Sequence, residues 1–430
     1  MRNEIPDNLI MPFSDHRHTA NPIVIERGEG AYLYDERGNK YFDGCSSLWV
    51  SILGHGHPKV TGKIREQLNK IAHTTLFGQA HTLSIELTEK LIEFVGLPNY
   101  SVLYAQSGSE AIEAALKMVM NYWQEKNEPH RKHIVTFEDS YHGETAGAMS
   151  VSGFDDHPKG FPHLMLTRSV VSSPVATVKN KAYKRKSLPS LHQFVSAKKD
   201  EIAAIIVEPI YGAGGVLLPD DEFFHEIEDI CQENGYLLIV DEVATGFYRT
   251  GNKFCFQDLQ IRPDILVLGK ALSAGYLPLS ATITAPKIGQ LYSRKDRKNG
   301  FMHGHTFSGN PLACASAIGN IETLKEEGFV DQIQDLIGVF SEKIARLNHS
   351  CVAEKRYKGL FAAIELYGED DRDWDQAALR TCNEAKEHNV IVRPLGNNII
   401  LAPPYVSQEQ DIELLLNAVQ ESINSVLCEK

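Results

Sequence analysis

The chain lacks the features that define several broad protein classes. Its seven cysteines, at positions 45, 231, 255, 314, 351, 382 and 428, are scattered, without a C-x-x-C pair or the Cys/His spacing of a ligand set. Single cysteines spread along a long chain fit a reducing compartment better than a disulfide framework. Long apolar runs are missing too: nothing approaches the roughly 18–20 residues that span a bilayer. The opening MRNEIPDNLI shows no basic-then-apolar leader pattern, so a cytoplasmic location is expected. Positive charge is short, with 43 Lys and Arg against 56 Asp and Glu and a net charge of −13. That balance argues against a nucleic-acid or anionic-membrane partner. The one basic stretch, residues 179–186 (KNKAYKRK), reads as a solvated loop. Internal repeats and low-complexity segments are absent. The 430 residues leave room for a large core and two or three domains.

What is present is concentrated between residues 236 and 272. The apolar run 236–240 (YLLIV) stops at Asp241-Glu242, and the run 264–268 (DILVL) stops at Gly269-Lys270. Short β-branched and leucine-rich runs suit strands buried on both faces of a parallel sheet. In such sheets ligands sit at the carboxyl ends of the strands. The reading therefore puts an acid and an amine at neighbouring strand tips, facing one crevice. A desolvated lysine amine condenses with an aldehyde to form a Schiff base. Pyridoxal phosphate supplies such an aldehyde, and its ring nitrogen needs an acidic partner to stay protonated. Each residue also has a plainer meaning: Asp as a turn former or helix cap, Lys as solvated surface.

Other segments add to the pair. Short strands are expected at 23–26, 31–35 and 41–42, with turns at 28–30 and 37–39. Amphipathic helix is expected from 59 to about 97, with Val60, Ile64, Leu68 and Ile71 on one face. A strand at 100–104 leads into Ser107-Gly108-Ser109 and a helix from 111. A small-residue turn opening a helix offers backbone N–H groups to a phosphate, although Ser-Gly-Ser also serves as a simple N-cap. Further strands are expected at 134–137, 202–207 and 278–285, and in the C-terminal part at 359–366 and 391–394. A long helix from about 312 and a closing helix at 409–426 complete the pattern. The pairs His55/His57 and His303/His305 lack a third ligand or a carboxylate cluster, so no metal is expected.

IVDEVATGF followed by LVLGKAL resembles the cofactor core of the class III (omega-type) aminotransferases, and matching motifs run in order from about Pro12 to Pro404. The resemblance implies an α/β architecture of PLP-dependent fold type I. A large domain (61–311) with a mostly parallel seven-stranded sheet is joined to a smaller α+β domain made of 1–60 and 312–430. It implies pyridoxal 5'-phosphate as cofactor, with Lys270 as Schiff-base lysine, Asp241 as ring-nitrogen partner and Tyr141 stacked on the ring. Ser107, Gly108 and Ser109 are implied to hold the phosphate, and His142, Glu208 and Val243 to complete the cofactor site. Thr306 is implied to reach the cofactor phosphate of the other subunit, so a homodimer with shared active sites is expected. Tyr141, Glu144, Gly304 and Arg393 are implied on the substrate side, and Trp49 reads either as a core aromatic or as a wall of the substrate pocket. A guanidinium such as that of Arg393 matches a carboxylate, and a surface ion pair is its plainer use. Strand 278–285 is the antiparallel edge strand in the family. Two positions depart from the family pattern: Glu144 stands where Asp is usual, and Tyr211 where Gln is common.

Within the family, DGCSSLW, KIAHTTLFG, LKMVMNYW, SYHGETAGAMSV and HGHTFSGNPLACA resemble the branch that aminates 8-amino-7-oxononanoate in the biotin pathway. The amino donor there is S-adenosylmethionine or lysine. Phe13, Leu48 and His305 replace a Tyr, a Trp and a Pro of the S-adenosylmethionine pattern, which weakens a pocket for a sulfonium. HGHTFSGNP and PFSDH also occur in the general omega-amine:oxo-acid branch, which stays open. A non-catalytic relative is expected to have lost Lys270 or Asp241, and both are present.

Overall fold

The structure, a computed structural model, describes residues 6, 8–13, 22–154, 162–178, 188–292, 300–368, 370 and 372–427. The basic stretch 179–186 lies outside them, as do Ser14, Asp15 and His16 of the PFSDH motif.

Among the described residues the strands form three sheets. Strands β1 (Ile25–Glu29), β2 (Tyr32–Asp35) and β3 (Lys40–Asp43) make an antiparallel meander, and β13 (Val390–Ile391) adds in parallel to β3. The central sheet has seven strands: β4 (Ser101–Ala105), β5 (His133–Phe137), β6 (Ser169–Val171), β7 (Ile202–Val207), β8 (Leu237–Asp241), β9 (Ile265–Leu268) and β10 (Ser280–Thr284). Their spatial order is β4-β10-β9-β8-β7-β5-β6. The third sheet, in order β11 (Val352–Lys358), β12 (Phe361–Leu366), β15 (Asn398–Leu401) and β14 (Arg393–Leu395), is antiparallel.

Every residue of β7, β8 and β9 is buried. Full burial on both faces explains why these strands read as unbroken apolar runs, each Ile, Leu or Val contributing about 1.5–3 kcal/mol. The parallel run β6-β5-β7-β8-β9 leaves the carboxyl ends of its strands on one edge.

Three expectations are corrected. Strand β10 is not an edge strand: it lies antiparallel between β4 and β9. Its threonines do not mark a solvent face, because the buried Thr282 hydroxyl donates to the Ala111 carbonyl at 2.8 Å. The span 59–97 is two helices, α1 (Pro58–Leu68) and α2 (Thr82–Val95), so Leu68 (55% exposed) and Ile71 (44%) are not core residues. The first hairpin turns at Gly30-Ala31 rather than over 28–30, since Glu29 still pairs with Tyr32 and Gly30 supplies the positive φ of +55°.

Helix α3 (Gly108–Glu125) follows β4 and lies against the sheet, burying Ile112, Ala115, Leu116 and Val119. Helix α4 (Pro311–Leu324) packs on α1 and α2. The buried Arg249 ties the loop after β8 to the C-terminal part of the chain. Its guanidinium donates to the Leu360 and Pro403 carbonyls (3.0 and 2.9 Å) and to the Ser46 hydroxyl (3.2 Å). No helix among the described residues is long and apolar enough to cross a membrane.

Candidate active site

Strands β8 and β9 are parallel neighbours, with Asp241 in register with Val267. Asp241 therefore ends one strand beside the point where the chain leaves the next through Gly269 to Lys270. Lys270 has φ +41°, a left-handed conformation that costs a non-glycine residue about 1–3 kcal/mol. The turn it opens (Lys270–Ser273) is anchored from below by Asn320 of α4, whose amide donates to the Ala271 and Leu272 carbonyls at 2.7 and 3.1 Å. Burial lowers the Lys270 amine below its ordinary pKa, and the negative charges of Asp241 and Glu208 only partly oppose that shift. The result favours a neutral, nucleophilic amine. The amine nitrogen lies 5.0 Å from the Trp49 ring centroid.

Asp241 is buried and accepts from His142 Nδ1 at 2.7 Å and from the Val243 N–H at 3.0 Å. A carboxylate only accepts, so this contact puts the imidazole proton on Nδ1. His142 is held in turn by its own N–H, which donates to the Ser152 hydroxyl at 2.9 Å. Glu208 ends β7 and accepts from the backbone N–H of Tyr141 (2.7 Å) and of Gly212 (3.3 Å). Burial first, and the charge of Asp241 second, push its carboxyl well above the usual range. Two acids of different character thus stand at adjacent strand tips.

The opposite wall is the start of α3. Ser107 caps it, its hydroxyl accepting from the Glu110 N–H at 3.3 Å. Close approach explains the glycines: a Cβ on Gly108 would sit 2.9 Å from Val243 Cγ1. One on Gly143, at φ +129°, would sit 2.1 Å from Ser109 Oγ. Ser109 Oγ also accepts from the Glu144 N–H at 3.1 Å. These groups enclose an inner pocket of 180 Å³ lined by Trp49, Gly108, Ser109, Tyr141, His142, Gly143, Glu208, Ala213, Asp241, Val243, Ala244 and Lys270. An amine, a buried acid backed by a histidine and a helix N-terminus match the aldehyde, ring nitrogen and phosphate of pyridoxal phosphate.

A wider outer cavity of 510 Å³ adjoins the pocket and shares Trp49, Tyr141, Ala213 and Lys270 with it. Phe13, Leu48, Phe154, Leu395 and Ile400 give it apolar walls, and Arg393 of β14 adds a half-buried guanidinium. Asp139, Thr177, Asp375, Asn397 and Asn398 supply polar groups. Burial, reinforced by the hydrogen-bonded Glu144, raises the Tyr141 phenol and keeps it protonated.

Some sequence candidates lie elsewhere. Gly304 packs against Phe77, and Thr306 is exposed, so one chain alone does not bring either to the Lys270 pocket. His303 Nδ1 faces Lys117 Nζ at 2.9 Å. Among the described residues no group of three His, Cys, Asp or Glu could hold a metal. Tyr211 is wholly buried and does not line either cavity. Asn320, Ser152, Phe154 and the Asn397-Asn398 pair were missed in the sequence. Only the chain's long-range folding brings them to the site.

The chain belongs to the class III aminotransferases, whose family model (Aminotransferase class-III) matches residues 13–423. It is an aminotransferase enzyme of PLP-dependent fold type I, and its cofactor is pyridoxal 5'-phosphate. It is similar to the adenosylmethionine-8-amino-7-oxononanoate aminotransferase of Anoxybacillus flavithermus, 36% identical over 96% of this chain and 94% of that protein. The crystal structure of the adenosylmethionine-8-amino-7-oxononanoate aminotransferase of Methanocaldococcus jannaschii superposes with a TM-score of 0.88 at 32% identity, covering 97% of each chain. A PLP-bound amine transaminase from an uncultivated Pseudomonas species superposes with a TM-score of 0.87 at 29% identity, covering 98% of this chain and 99% of that one.

Proposed function

We propose that this enzyme aminates 8-amino-7-oxononanoate to 7,8-diaminononanoate in biotin synthesis, with S-adenosylmethionine or lysine as donor. The observation that carries the reading is the outer cavity. Its walls are largely apolar, and Arg393 is its one cationic lining residue besides Lys270 among the described residues. A nine-carbon chain with a carboxylate at one end suits such a site. The names of the relatives support the same substrate.

Bound pyridoxal phosphate supplies an aldehyde for the amine to be moved and a ring that draws electrons from the reacting carbon. Lys270 Nζ holds the cofactor between turnovers, yields it to the donor amine, and then carries a proton as general base and acid. Asp241 accepts the ring N–H and keeps that nitrogen protonated, and the His142 Nδ1–H holds the Asp241 carboxylate in orientation. Tyr141 covers one ring face and Val243 packs on the other. The N–H groups of Gly108 and Ser109, with the Ser107 cap behind them, hold the phosphate. Glu208 fixes the Tyr141 backbone and stands over the cofactor. On the substrate side Arg393 takes the carboxylate, Trp49 and Tyr141 form the walls, and Glu144 meets an amine. The enzyme works as a cytoplasmic homodimer in which Thr306 of each subunit reaches the other's cofactor phosphate, and Gly304 lies on the substrate side. Residues 1–60 and 312–430 form the small domain, and 61–311 the large one. The parallel pairing of β3 with β13 supports that division.

The test gives the purified, cofactor-loaded enzyme one donor at a time (S-adenosylmethionine, lysine or a simple omega-amine) and follows the cofactor absorbance. Bleaching by one donor, restored by 8-amino-7-oxononanoate, establishes the reaction and names the donor. The likeness to an amine transaminase favours a second reading, an omega-amine:oxo-acid aminotransferase. Absorbance restored only by pyruvate or another simple oxo-acid would replace the first reading with that one.

A further inference from the structure

A buried ion pair, Arg356 with Glu365, lies behind the outer cavity without lining it. Arg356 of β11 is 6% exposed and Glu365 of β12 is wholly buried. Arg356 Nη1 donates to Glu365 Oε2 at 2.6 Å and also to Glu354, a half-exposed carboxylate on its own strand. A buried pair is a weak source of stability, because desolvation offsets most of the Coulomb attraction. Its other hydrogen bonds show what it organises.

Each of those bonds reaches a segment that carries a cavity wall. Arg356 Nε donates to the Gly215 carbonyl at 2.8 Å, next to the lining residues Ala213 and Gly214. Arg356 Nη2 donates to the lining residue Asn398 through its Oδ1. Glu365 Oε2 accepts from the Val178 N–H at 3.0 Å, next to the lining residue Thr177. Glu365 Oε1 accepts from Asn397 Nδ2 at 3.3 Å, and Asn397 lines the cavity as well. The contact is close: at φ +102° a Cβ on Gly215 would lie 3.1 Å from Asn398 and 3.2 Å from Arg356. The loop that Arg356 holds also meets the cofactor side, through the Gly212 N–H on Glu208 at 3.3 Å and through Ala213, which lines the inner pocket.

We propose that Arg356 and Glu365 are positioning residues that fix three segments, around residues 177–178, 213–215 and 397–398, and so set how substrate fits the outer cavity. The inference rests on that cavity being the substrate site. The pair acts through Asn397, Asn398, Gly214 and Thr177, and its hydrogen bonds go to neither Lys270 nor Asp241.

The test compares wild type with Glu365→Gln, Arg356→Met and Arg356→Lys, each loaded with cofactor. Glu365→Gln keeps volume and leaves Glu354 to face Arg356, so it is the variant most certain to fold. Glu365→Gln and Arg356→Met are expected to raise KM for the oxo-acid by about tenfold with kcat within about threefold, the mark of lost binding rather than lost chemistry. Cofactor absorbance and its loss with borohydride stay as in wild type, and Arg356→Lys recovers part of the KM. Unchanged KM in a folded variant overturns the proposal. So does a raised KM accompanied by a more than tenfold fall in kcat and a loss of cofactor absorbance, which marks general damage. If Arg356→Met does not fold, Arg356→Met/Glu365→Met removes both charges together. A wild-type KM in that double variant also overturns the proposal, and a raised one supports it. Should wild type fail to turn over 8-amino-7-oxononanoate, the proposed function falls. The same comparison is then made on whichever amine and oxo-acid the enzyme does use.

Discussion

The inner pocket and the outer cavity meet at Lys270, Trp49, Tyr141 and Ala213, yet they are built in different ways. The inner pocket comes mainly from the turns that follow β4, β5, β7, β8 and β9, five strands of one sheet whose pairing fixes where those turns stand. Its charged groups answer one another: His142 to Asp241, and backbone N–H groups to Glu208. The outer cavity draws on residues from Phe13 to Ile400 and depends on how the C-terminal sheet seats against the large one. Chemistry is thus lodged in one rigid layer, and specificity in the joint between layers. Perturbing one region should leave the other region's kinetic signature alone.

The largest expected effect lies in the inner pocket. Lys270→Ala removes the group that holds the cofactor and moves the proton, so turnover should fall by on the order of 10⁴-fold. The borohydride-sensitive absorbance should vanish with it, while thermal unfolding stays cooperative. Retention of more than a hundredth of the activity would end the assignment of Lys270. Asp241→Asn comes next. It keeps the hydrogen-bonding shape but removes the charge, and should lower kcat by about 10²–10³-fold. Cofactor should remain bound and KM should change little. An equal loss through KM alone would move Asp241 out of the chemical step.

Arg393→Met should break the comparison on the other side. Losing a charge-assisted carboxylate contact, worth roughly 2 kcal/mol, should raise KM for a carboxylate-bearing acceptor by about 30-fold. Turnover of an omega-amine donor that carries no carboxylate should keep its rate in the donor half-reaction. Parallel losses with both substrate types would show that Arg393 supports the fold rather than the ligand.

The two regions were also unequally legible in the sequence. Strand β7 is read from the apolar run 202–207 with the bounds it has in the structure, and β8 and β9 are read within a residue. Burial on both faces leaves an unbroken apolar signature that needs no tertiary knowledge. Once the strands are placed, Asp241 and Lys270 fall at their tips. The support beneath them was not legible, because nothing local marks a contact between His142 and Asp241, 99 residues apart, or between Asn320 and the turn 49 residues before it. The edge position expected for strand β10 rests on the family resemblance alone, because nothing local in 278–285 tells which strands flank it. The hydroxyl of Thr282 finds a backbone carbonyl on α3, and the strand is buried. Among the outer-cavity residues, Asp139, Phe154, Thr177, Asp375 and Asn397 carried no sequence signal, since only the docking of the C-terminal sheet gathers them.

The last expected effect is on stability and leaves turnover alone, and it concerns Glu242, which follows Asp241 in the chain. Its carboxyl is buried, accepts from the Phe256 N–H (2.7 Å) and the Thr245 hydroxyl (2.8 Å), and holds the loop after β8 against the sheet. Burial pushes its pKa up from 4.5 to about 7, with those hydrogen bonds pulling partly the other way. Raised above its unfolded value, the group is protonated in the folded protein at pH values where the unfolded chain has released the proton. Its contribution to stability is therefore full below pH 4.5 and is lost as pH rises towards about 7. Glu242→Gln cannot titrate, so the stability of wild type relative to this variant should fall by up to about 3 kcal/mol across that window. Thermal unfolding of both proteins at several pH values measures the difference, and parallel curves would rule the titration out. Glu242 supports Asp241 without touching the outer cavity, so KM for the oxo-acid should not follow that pH slope. A KM that did follow it would show that the two regions share one mechanical unit.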